Sequence, residues 1–63
     1  MDMTKDEVLK IMLDSINEDN RTLCLHNGMT DEEAEKQIEA SQPSLVFIFG
    51  NIYDKLNAAG ALA

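Results

Sequence analysis

Apolar residues recur along this chain at helical rather than alternating spacing. Val8, Leu9, Met12, Leu13, Ile16 and Leu23 fall within one broad stripe at a 3.6-residue period, the pattern of an amphipathic helix. Asn17 to Thr22 contains no apolar residue. With neither Gly nor Pro there, the reading is one continuous helix over about residues 5 to 26, a break in the polar stretch being the alternative. Further on, Ala34, Ile38 and Ala40 form a thin apolar side on an otherwise charged segment of about residues 31 to 41. Pro43 is read as the first turn of a third helix, because proline is tolerated there and disfavoured in a helix interior. That helix covers about residues 43 to 59, with Leu45, Ile48, Phe49, Ile52, Tyr53, Leu56 and Ala59 on one stripe toward the other two. The run Leu45 to Phe49 also suits a buried strand, but no second strand-like run exists to pair with it.

Two helix starts are written in nearly the same letters. Met3-Thr4-Lys5-Asp6-Glu7-Val8 and Met29-Thr30-Asp31-Glu32-Glu33-Ala34 each place Thr at the N-cap and Glu three residues later, which is the capping box. Acidic residues crowd both first turns, where the helix dipole favours them. Asn27-Gly28 and Gly60 supply the stops. The pattern thus predicts an all-α fold, a small three-helix domain spanning residues 1–63.

Composition adds a constraint on stability. A domain of this length buries roughly 60% of the surface its unfolded chain exposes, which leaves little margin. Small natural scaffolds add a disulfide, a metal or a second chain. Cys24 is the only cysteine, so neither an internal disulfide nor a multi-thiolate zinc site can form, and self-association is the expected staple. Five basic residues against twelve acidic ones give a net charge of −7. Binding to phosphate backbones or anionic membranes depends on clustered Lys and Arg, whereas Lys5, Lys10, Arg21, Lys36 and Lys55 are scattered. Direct nucleic-acid and membrane partners are therefore not expected; a basic protein surface is the favoured kind of partner. The mixed, acidic first ten residues and the lone cysteine predict a cytoplasmic protein without an export signal.

Chemistry-bearing motifs are sparse. Cys24-x-His26 is the one pair resembling metal ligands or a nucleophile with its base. Zinc needs three or four ligands, and positions two apart on a helix point in different directions. Cys24 reads as a small apolar residue and His26 as a helix-end cation, and exposed carboxylates without a cleft keep ordinary pKa values. No enzyme, metal or cofactor is expected. Phe47 is more informative. It projects away from the main stripe of the third helix, and a helix apolar on more than one side is buried on more than one side. Val46, Phe47, Gly50 and Asp54 are accordingly the expected homodimer or partner interface. A second candidate surface is the acidic face of Asp31, Glu32, Glu35 and Glu39, which would imitate a phosphate backbone and inhibit a nucleic-acid-binding protein; a solvated face is its plainer explanation.

One resemblance bears on function. Met3-Thr4-Lys5-Asp6-Glu7-Val8, Leu45-Val46-Phe47-Ile48-Phe49-Gly50, the length and the acidic helical pattern are similar to those of a small open-reading-frame product from the exo–xis region of phage lambda and related lambdoid phages. The resemblance implies a small, helical, dimeric early phage protein in the host cytoplasm. It would contact a host or phage protein and influence host physiology or the choice between lysis and lysogeny. It brings no catalytic residues.

Overall fold

The structure, a computed structural model, describes residues 2–61. Both expected capping boxes are present and start two helices, α1 (Lys5–His26) and α2 (Asp31–Ala58). Glu7 N–H donates to Thr4 Oγ1 at 3.2 Å, and Thr4 N–H donates back to Glu7 Oε1 at 2.9 Å. Thr30 and Glu33 repeat the exchange at 3.1 and 2.9 Å. The hydrogen bond from the cap backbone, followed by that from the Thr side chain, lowers the pKa of Glu7 and of Glu33 below the ordinary 4.5.

These depressed carboxyls give stability a sign with pH. A folded-state pKa below the unfolded one contributes stability that is present above about pH 4.5 and lost as pH falls through the folded value. The melting temperature, followed by circular dichroism, is expected to drop as pH falls below about 4.5. The drop should shrink in a Glu7→Gln, Glu33→Gln double variant, and an unchanged acid slope would show that the caps do not carry it.

α1 ends where a backbone conformation reserved for glycine begins. Gly28 has φ +91°, Gly28 N–H donates to Leu25 O, and Met29 N–H reaches back to Cys24 O at 3.0 Å. This closes the helix in a Schellman turn and reverses the chain. Gly60 ends α2 in the same way, with φ +77°.

The described residues contain no strand and two helices rather than the expected three. α2 runs unbroken through Pro43, so the boundary expected between residues 41 and 43 does not exist. Proline removes one backbone donor, and its ring crowds the carbonyl of Glu39 four residues earlier. Both residues are exposed, so water can satisfy that carbonyl. Nearby, Ser41 Oγ and Gln42 Nε2 donate to Ile38 O at 2.8 and 2.9 Å. Gln42 also exchanges amide hydrogen bonds with Asn17 at 3.1 and 2.8 Å, pinning α2 to α1 beside the proline. Tertiary anchoring thus outweighs the local cost.

The same contacts explain why α1 does not break in its polar stretch. Asn17 faces Gln42, and the Arg21 guanidinium pairs with Glu35. Through this stretch α1 meets α2 by polar side chains that flank the buried Ile38, and the missing apolar residues of α1 mark a section of interface anchored by hydrogen bonds.

The Cα trace measures 42 × 20 × 15 Å. With two helices, each packed only on the other, α1 and α2 form a single layer. Only Cys24, Ala34 and Ile38 are buried hydrophobics among the described residues, and no large side chain is fully enclosed. Ala34, near the turn, is 0% exposed.

Candidate functional site

Because each helix has only the other for cover, one side of each remains open. Among the described residues, nine large apolar side chains are exposed, three times the number of buried hydrophobics. Ile48, Ile52 and Leu56 were expected to face the other helices; instead they are 51%, 40% and 42% exposed. The seam on α2 runs through Ala34, Ile38, Leu45, Phe49 and Tyr53, and the Ile48–Ile52–Leu56 row lies beside it. A single neighbouring helix covers too narrow an arc to reach both rows.

The expected interface residues divide in two. Val46 and Phe47 are exposed, Phe47 at 59%. Gly50 and Asp54 are already engaged within the hairpin. Lys5 Nζ lies 3.0 Å from Asp54 Oδ1 and 5.8 Å from the centroid of Tyr53. Gly50 is buried under the Lys5 stem, where a Cβ would lie 3.9 Å from Lys5 Cε. Phe47 instead joins Pro43, Ser44 and Ile48 around an open depression of about 450 Å³ on the outward side of α2.

A second depression was not foreseen. Ile11, Met12, Ser15, Ile16 and Asp19 of α1 and Phe49 of α2 line a groove of about 370 Å³. Ile52 and Leu45 share Phe49's side of α2 by their three- and four-residue spacing. Ile48 instead borders the Phe47 depression, so the exposed apolar surface of α2 spans both depressions. Ile11 was the available signal. It lies outside the stripe of Val8, Leu9, Met12 and Leu13 and widens the apolar arc of α1 beyond what one neighbour covers.

The acidic candidates are partly neutralised. Glu35 pairs with Arg21, and Lys36 lies 3.7 Å from Glu32. Asp31 belongs to the first turn of α2, and Glu39 is exposed. Cys24 is buried and His26 exposed. Among the described residues, no group of three or more His, Cys, Asp or Glu side chains is placed to hold a metal. No helix among them is long and apolar enough to cross a membrane.

No family model matches the chain, and neither a curated protein nor a solved structure matches it. The phage likeness accordingly rests on the quoted segments, the length and the acidic helical pattern alone.

Proposed function

We propose that this chain is a non-enzymatic protein that acts through protein–protein contacts and does so as a homodimer. One observation carries the reading: among the described residues, nine large apolar side chains lie on the surface of a single-layer hairpin and no large side chain is fully enclosed. Contiguous exposed apolar surface of this kind marks interaction sites, and a domain ordinarily needs two packed layers around its core. The phage resemblance adds a setting, a cytoplasmic regulatory protein acting on a host or phage protein and so on host physiology or the lysis–lysogeny choice. An acidic decoy for a nucleic-acid-binding protein is the competing reading. Arg21 and Lys36 neutralise part of the face it requires, which weighs against it.

Sedimentation equilibrium at tens of micromolar is expected to give twice the chain mass of 7.0 kDa. A single-chain mass with an intact helical spectrum would sink the homodimer.

A further inference from the structure

We infer that Asn27–Gly28, in the turn joining α1 to α2, is a site of spontaneous covalent modification. The Asn27 amide is lost as ammonia, and the altered turn holds the two helices less firmly.

The chemistry is intramolecular. The Gly28 backbone nitrogen attacks the Asn27 side-chain carbonyl carbon and gives up its proton to solvent as the new C–N bond closes a cyclic imide. The side-chain nitrogen takes up a proton and leaves as ammonia. Water then adds to one of the two imide carbonyls and breaks that carbon's bond to the Gly28 nitrogen. One opening leaves aspartate. The other leaves isoaspartate, in which the main chain runs through the former side chain.

Three observations select this asparagine. Of the five asparagines, only Asn27 precedes a glycine; a Cβ on the following residue would crowd the ring closure, and glycine has none. Asn17, Asn20, Asn51 and Asn57 all lie within α1 or α2, where the following N–H is held toward the carbonyl four residues back. Asn27 instead caps α1 and is exposed together with Gly28. Finally, a Cβ built at Gly28 would meet nothing within 4 Å, so the turn has open space in which to move.

The closed turn holds the reaction back. Asn27 has ψ 8°, which sets the Gly28 nitrogen beside Asn27's own nitrogen and away from its Cβ. Gly28 N–H also donates to Leu25 O at 3.1 Å. Attack therefore waits on an opening that breaks this bond and rotates ψ, and exposed turns open locally at far lower cost than the whole fold. Once formed, isoaspartate adds a main-chain carbon between residues 27 and 28. That displaces the Gly28–Leu25 and Met29–Cys24 hydrogen bonds that close α1. Either product also sets a new carboxylate at the negative end of the α1 dipole, on a chain already at −7.

Wild-type protein aged for weeks in neutral buffer, then digested and mapped by mass spectrometry, is expected to lose the Asn27 amide at least tenfold faster than any other asparagine amide. Loss at Asn27 no faster than at the other four would overturn the assignment. Aged chains carrying the extra charge, separated by anion exchange, should unfold at a lower urea midpoint than unaged ones. An unchanged midpoint would overturn the loosening. Asn27→Gln keeps an amide but moves it one methylene further from the Gly28 nitrogen, and it should hold its midpoint through the same ageing. A fall in that variant equal to the wild type's would place the change elsewhere and reject the turn.

Discussion

Ile38→Ala is expected to lower stability by about 3 kcal/mol, within the range for emptying a buried aliphatic site. Ile38 is 7% exposed and is the largest of the three buried hydrophobics. Cys24 and Ala34, the other two, fill little volume, so Ile38 supplies most of the buried apolar bulk among the described residues. Small domains hold only about 5 kcal/mol or less in reserve, so the variant should be substantially unfolded in mild urea. Ile38→Val, which removes one methyl, should cost only about 1 kcal/mol. Urea titrations followed at 222 nm, at one fixed chain concentration, compare the two. Equal midpoints for both variants would show that the seam at Ile38 is not the core of the hairpin.

Pro43→Ala is the largest expected change in the opposite direction. Proline inside a helix is about 3 kcal/mol less favourable than alanine, and α2 continues through Pro43 without a break. Alanine restores an N–H that can donate to the Glu39 carbonyl and removes the ring from beside it. Part of the gain is offset because alanine loosens the unfolded chain, an effect of about 0.4–1 kcal/mol. A net stabilisation of about 2 kcal/mol should therefore appear as a higher urea midpoint. Pro43 also forms one wall of the Phe47 depression, so the stabilised variant would present an altered outward surface. A lower midpoint would mean that Pro43 itself is needed for docking on α1.

Local chemistry made the helix ends readable from the chain alone. Thr4, Thr30, Glu7, Glu33, Gly28 and Gly60 act through hydrogen bonds and dihedral angles within a few residues, so their letters suffice. The helix count turned on Pro43, where the local penalty is opposed by a contact between Gln42 and Asn17, 25 residues apart. No propensity contains that contact. The apolar wheel of residues 45 to 59 identified which residues lie on one stripe but overestimated how much of it is covered. Coverage depends on the number of neighbouring helices, and removing the third helix exposed Ile48, Ile52 and Leu56. Phe47 was legible as an outward residue because its wheel position does not depend on the neighbour. The groove was not, since it combines α1 residues with Phe49 from the other end of the chain.

The cross-helix pairs are nested. Arg21–Glu35, Asn17–Gln42 and Lys5–Asp54 enclose one another at separations of 14, 25 and 49 residues. Closing each pair shortens the free chain left for the next, so the entropic cost is spread over several small steps. The hairpin is in effect a zip whose slider starts at Gly28. A force pulling the two ends apart loads the Lys5–Asp54 rung alone, and each rung must part before the next bears any tension.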